Sequence, residues 1–210
     1  MMHVPAFLAR QLARPSGLFG RFVVGRMLNR GTREHTRMVL EDLAVQRGDR
    51  ILEVGFGGGS LLERLCLAAP DGFVAGVEVS GAMLAMVRRD LRPLIEAGRL
   101  EVVRAGIDRL PYADRTFDRG CTVNTTYFWP DLHAGLAEFH RVLRPGGRLV
   151  IGITAPEDMV RAGLHERGFA THSPGELATA LAATGFRPRA ARSGRDLRGA
   201  TYSVPAERLE

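Results

Sequence analysis

The stretch "RILEVGFGGGSLLERL", residues 50–65, constrains the fold more than any other part of this 210-residue chain. A short apolar run, a loop with glycines at 55, 57, 58 and 59, and an amphipathic run follow one another without a spacer, which reads as strand, loop and helix. Glycine tolerates positive φ and lacks the side chain that would hold a neighbour away, so a loop this bare suits close approach of a ligand to the backbone. Ser60 and Glu63 have the spacing of a capping box and predict the helix start, with Leu61, Leu62 and Leu65 turned inward.

The alternation then repeats. "FVAGVEV" (73–79) is a second strand, and Ser80 caps a helix carrying Met83, Leu84, Val87 and Leu91, stopped or kinked by Pro93. "RLEVVRA", "DRGCTVN" and "RLVIGIT" predict strands three to five. The last two are separated by a helix with the stripe Leu132, Leu136, Phe139 and Leu143, and by the turn "RPGG". Upstream, Thr36, Val39, Leu40 and Leu43 lay one helix against a core. Downstream, Ser173, Pro174 and Glu176 open a helix through Leu177 and Leu181, and short strands near 187–193 and 199–204 close the sheet as a hairpin. Nearly continuous apolar strands alternating with helices belong to a parallel sheet covered on both faces. The expected fold is therefore α/β: a Rossmann-like, doubly wound, mostly parallel seven-stranded sheet with an N-terminal helical cap. The expected division is a basic helical arm or cap over 1–44 and a ligand-binding domain over 45–210.

Composition removes several classes. With 45% hydrophobic and 25% charged residues the chain is neither disordered nor membrane-spanning. Arg10 and Arg14 interrupt the first apolar residues, so no secretory signal is read and a cytoplasmic location is expected. Cys66 and Cys121 show no paired spacing, so neither a disulfide framework nor a metal site is expected. Residues 1–40 hold seven arginines against Glu34 alone, which accounts for the whole net charge of +6. The neutral body disfavours a nucleic-acid partner. For the arm, a lid over the substrate and a peripheral membrane contact remain. On a wheel of residues 18–30, Arg26 and Arg30 fall inside the apolar sweep, which weighs against a membrane-lying helix.

In an open parallel sheet, ligands lie outside the carboxyl ends of the strands, where the glycine loop sits. Glu78 closes the second strand nineteen residues after Gly59, placed to accept from both hydroxyls of a ribose. Glu53 lies inside the first strand, where a buried carboxylate must face a donor or a positive charge. The spacing is not that of a nicotinamide site, because Ser60 stands where GxGxxG requires its third glycine, and Glu53 would repel a pyrophosphate. The ligand should be less anionic than a dinucleotide and partly cationic.

Together "EVGFGGG", "GVEVS", "LPYADRTFD" and "EFHRVLRPGGRLVI" resemble the class I S-adenosylmethionine-dependent methyltransferases, in particular the small-molecule branch similar to quinone-biosynthesis methyltransferases. The likeness covers residues 45–155. It implies that 45–210 binds S-adenosylmethionine, with Glu53, Gly55, Phe56, Gly57 and Gly59 at the methionyl part and Glu78 at the ribose. Val79, Ser80, Met83, Gly106, Ile107 and Asn124 complete the implied cofactor set. The chain departs from the family at Gly106, where an Asp usually meets the adenine amino group. Backbone groups of Gly106 and Ile107 remain for the ring, as does Asp108 from a shifted loop.

The resemblance places the methyl acceptor at "VNTTYFWPD", residues 123–131. Thr125 and Thr126 replace the prolines of the Asn-Pro-Pro-Tyr motif of amino-group methyltransferases, so that activity is not carried over. Tyr127, Phe128 and Trp129 offer aromatic walls. Tyr127 and His133 are the candidate catalytic residues, His133 as a base and Glu157 as a weaker one. The expected reaction is methyl transfer to a small apolar or aromatic acceptor. The rivals are a phospholipid headgroup methyltransferase and a non-catalytic S-adenosylmethionine-binding partner or sensor.

Overall fold

The computed structural model describes residues 33–167, 169–196 and 199–210. The arginine-rich arm before Arg33, and with it the expected lid and membrane contact, lies outside them.

Among the described residues, eight strands form one sheet: β1 (Arg50–Val54), β2 (Phe73–Val77), β3 (Leu100–Val103), β4 (Phe117–Val123), β5 (Leu143–Thr154), β6 (Phe186–Pro188), β7 (Arg192–Asp196) and β8 (Gly199–Arg208). Their order is β3-β2-β1-β4-β5-β8-β6, with β7 also paired to β8. β1 to β5 run parallel, and β8 is antiparallel to its neighbours. The strand order reverses between β1 and β4, which opens a crevice at their carboxyl ends.

The expected single strand over 187–193 is two short ones, which makes eight strands rather than seven. Proline explains the break. Arg189 N–H donates to the Pro205 carbonyl at 2.8 Å, but Pro205 has no N–H to return, so the ladder lapses there. The expected "RPGG" turn loops out within β5, because Phe117 pairs with Leu143 and Arg119 with Arg148.

Helices cover both faces. α1 (Arg33–Leu43), α2 (Ser60–Ala68) and α3 (Gly81–Asp90) lie on one side, where Val39, Leu43, Leu62, Leu65 and Val87 join one core cluster. The short α4 (Arg92–Glu96) carries Pro93 in its first turn, as a helix restart requires. On the other side, α5 (Leu132–Val142) and α7 (Pro174–Ala183) bury Leu136, Phe139, Leu177 and Leu181. Each such side chain contributes roughly 1.5–3 kcal/mol on burial. Between them α6 (Pro156–Arg161) follows β5. The described end of the expected arm, α1, is thus a core helix resting on the sheet.

Two of three expected caps form. Ser80 accepts from Met83 N–H, and Ser173 with Glu176 makes a reciprocal capping box. Ser60 does not cap α2. The chain enters that helix through Gly59 at φ +77°, in the left-handed region, so Gly59 takes the cap position and Ser60 is already helical. Within "LPYADRTFD" and "EFHRV", Arg141 donates to the carbonyls of Leu110 and Tyr112 at 3.0 and 2.7 Å, and Glu138 accepts from Leu110 N–H at 2.7 Å. Those two segments belong together because α5 clamps the loop that leads into β4.

Candidate functional site

At the tips of β1, β2 and β4 the glycine loop folds back on the sheet. Gly55 has φ +76°, and a Cβ there would lie 2.3 Å from Thr125 Cγ2. Glycine is therefore demanded at 55 by both conformation and space. Gly57, at φ +49°, donates its N–H to Glu78 Oε2 at 3.1 Å, while Ser80 N–H reaches Glu78 Oε1 at 2.9 Å. Backbone donors on both oxygens aim the carboxylate. Burial pushes the Glu78 carboxyl above its ordinary range, partly offset by the N–H groups of Ser80, Gly57 and Val79.

Glu53, facing the same crevice end from β1, is 3% exposed, and its Oε2 is buried with no hydrogen-bond partner among the described residues. Burial, and then the neighbouring Glu78 carboxylate, push its pKa up to about 8. The thiols of Cys66 and Cys121 feel it as well, and burial raises both. An orphaned carboxylate oxygen beside a second carboxylate is a site for a cationic donor.

Other expected ligand contacts are placed differently. Phe56 is 4% exposed and turns into the core, where a Cβ on Gly76 would meet its ring, so only its backbone faces the loop. Met83 is fully buried and has no surface to offer. Ser80 is buried as the α3 cap. Val79 is exposed beyond β2, and Ile107 is nearly buried against the core. At Gly106 a Cβ would come 2.2 Å from Asp108 Oδ1. The Asp108 carboxylate thus occupies the space vacated by the missing side chain.

On the opposite side of the crevice, Asn124 ends β4 at φ +57°. Its Oδ1 accepts from the hydroxyls of Tyr127 at 3.0 Å and Thr154 at 3.1 Å. Tyr127 is buried, and its hydroxyl oxygen also accepts from Thr154 N–H at 2.5 Å. A phenol so bound holds the 3-10 turn Thr126–Phe128 to β5; it does not present a base to a substrate. Phe128 stands edge-on to Phe169 at 4.8 Å, and Trp129 donates from Nε1 to Thr125 Oγ1 at 3.2 Å. Thr122 and Thr125 share a hydrogen bond, and Thr122 donates to the Val54 carbonyl at 2.8 Å. His133 is exposed on the first turn of α5 and opens onto a groove of about 440 Å³ between α5 and α7, lined also by His172, Glu176 and Thr179. The lining of that groove includes neither Glu53 nor Glu78. Glu157 is exposed at the start of α6.

The sequence alone does not single out His35 or Thr154, and it marks Thr125 only as a replacement for a motif proline. A glycine inside β5, Gly152, was the available signal for His35, because an interior strand glycine marks close approach of another group.

The methyltransferase domain family matches residues 52–151. The O-methyltransferase rstn1 of Aspergillus nomiae is 31% identical over 163 residues, which span 74% of this chain and 72% of the relative. The ubiquinone/menaquinone biosynthesis C-methyltransferase UbiE of Klebsiella pneumoniae is 34% identical over 122 residues, spanning 55% of this chain and 46% of the relative. The chain thus matches about half the length of that second protein. A SAM-dependent methyltransferase structure from Aquifex aeolicus has a TM-score of 0.74 at 21% identity, over 89% of this chain and 97% of that one, a likeness of fold.

Proposed function

We infer the site assignments and the acceptor from one premise, that this chain belongs to the S-adenosylmethionine-dependent methyltransferases. Activity and cofactor follow from that membership; the acceptor and the residue roles are our reading. When bound, S-adenosylmethionine supplies an electrophilic methyl group on a sulfonium.

The residues present fit that group. Glu53, with an orphaned oxygen, would receive a cationic amino-acid end, and the bare backbone of Gly55 and Gly57 would lie against it. Glu78, already aimed by the backbone N–H groups of Gly57, Val79 and Ser80, would accept from the ribose hydroxyls. Val79, Gly106, Ile107 and Asp108 would border the base. In-line displacement depends on positioning more than on a dedicated base. With the Tyr127 hydroxyl committed to Asn124 and Thr154, this chain contributes geometry and exclusion of water.

The acceptor is a small apolar or aromatic molecule. The observation that carries this is the aromatic wall: Phe128 against Phe169 and Trp129 over Thr125, both half-buried at the end of β4. The test is transfer of labelled methyl from S-adenosylmethionine to a panel of phenols, quinols and isoprenoids. Label in the organic extract is the expected result. Tight S-adenosylhomocysteine binding with no product across the panel would replace it with the sensor reading.

A second expectation concerns protons. Because the Glu53 pKa is raised to about 8 from 4.5, the free protein carries that proton at neutral pH. The sign is fixed: the neutral acid's contribution to stability is complete below pH 4.5 and is lost as pH rises through 8. A cationic ligand ionises it, so S-adenosylhomocysteine binding at about pH 6.5, where an α-ammonium is still charged, should release about one proton. Affinity should climb towards pH 8. Calorimetry in buffers of different ionisation enthalpy measures the release, and Glu53→Gln should release none.

A further inference from the structure

His35 lies on the sheet-facing side of α1 and is fully buried. The strand beneath it leaves room: a Cβ at Gly152 of β5 would come within 2.8 Å of its Nε2. Only glycine there admits the imidazole. Nε2 stands 2.9 Å from the Tyr202 carbonyl oxygen of β8. A carbonyl accepts and never donates, so Nε2 carries the proton and a neutral ring offers Nδ1 as an acceptor.

From there the link runs to Asn124. Asn124 Nδ2 approaches His35 Nδ1 at 3.5 Å, the longest link. The carboxamide oxygen is thereby turned to the hydroxyls of Tyr127 and Thr154, both acting as donors. The Tyr127 oxygen in turn accepts from Thr154 N–H. Asn124 sits at positive φ, a conformation that asparagine tolerates without preferring it. Its own N–H is held by the Gly152 carbonyl at 2.8 Å. The same glycine therefore seats the imidazole and anchors the residue that begins the acceptor-side turn.

We propose that His35 is a positioning residue for methyl transfer: as the Nε2–H tautomer it orients the Asn124 carboxamide, which fixes the Thr125–Trp129 turn against β5. The proposal rests on the reading of that turn as the acceptor wall. Helix α1 would then set the shape of the acceptor pocket without touching its contents.

Trp129 is the chain's single tryptophan, and its indole N–H is bonded within this turn, so its fluorescence reports the turn directly. His35→Gln retains an amide donor for Tyr202 but puts no acceptor at the Nδ1 position, whereas His35→Asn puts an acceptor there. In the full chain, H35Q should keep S-adenosylhomocysteine affinity within about threefold. It should roughly double the acrylamide quenching of Trp129 and lower kcat about tenfold at an unchanged KM for S-adenosylmethionine. H35N should recover most of both. Nitrogen NMR of the wild type at about pH 8 should show the Nε2–H tautomer.

Trp129 quenching in H35Q equal to wild type, equal losses in both variants, or a charged imidazole would each overturn the proposal. If H35Q does not fold, Asn124→Ala removes the far end of the link and must raise quenching by the same amount; unchanged quenching there refutes it. Should the wild type methylate nothing in the acceptor panel, the acceptor reading fails, while quenching and NMR still decide the role of His35.

Discussion

Replacing Glu78 by alanine is expected to weaken S-adenosylhomocysteine binding at least tenfold, about 1.4 kcal/mol or more, while the ligand-free chain unfolds at nearly its normal temperature. The two halves of that result have one origin. Glu78 accepts backbone N–H groups on both oxygens, so its remaining lone pairs are held in a fixed direction at the end of β2. Removing it would delete the acceptors for two ribose hydroxyls and release Gly57, the loop residue it ties down. The fold itself loses little, because a carboxylate held in a buried place carries a desolvation cost that offsets its bonds to Gly57, Val79 and Ser80. Glu78→Gln should bind almost as poorly, since its amide nitrogen would confront a backbone donor. Unchanged affinity by calorimetry would take the sugar away from this residue.

Gly57→Val should have the larger effect and abolish measurable binding, a loss of more than about a hundredfold, with circular dichroism unchanged. A β-branched residue is a genuine outlier at the φ of +49° that Gly57 adopts. The loop would have to rotate, carrying away the N–H that orients Glu78. Any side chain would also thicken the backbone surface against which the cofactor must lie. Gly57→Ala should be intermediate. Normal affinity in the valine variant would mean that the ligand does not approach this backbone.

Much of this site could be read locally. Glu53, the glycines and Glu78 fall within one strand-loop-helix-strand unit, where spacing along the chain fixes place in space. What spacing could not supply was direction. Phe56 and Met83 belong to the same unit, yet both point into the core, and Ser80 is consumed as a cap. The expected cap at Ser60 failed by one residue because left-handed Gly59 took its place. The lapse of the ladder at Pro205 split one expected strand in two. For His35 the one signal, Gly152, lies far along the chain. The partners of the imidazole are 89 and 167 residues away, and no local pattern on α1 separates it from the apolar residues it sits among. His133 is close to a strand end along the chain, but its position on α5 turns it to a groove on the flank.

The lone oxygen of Glu53 reaches beyond catalysis. A folded chain that encloses an acceptor with nothing to bond is unfinished until its ligand arrives, and whatever binds only the folded form deepens that form's stability with the logarithm of its concentration. A methyl donor seated on Glu53 would therefore raise the unfolding free energy of the chain steadily once its concentration passes the dissociation constant.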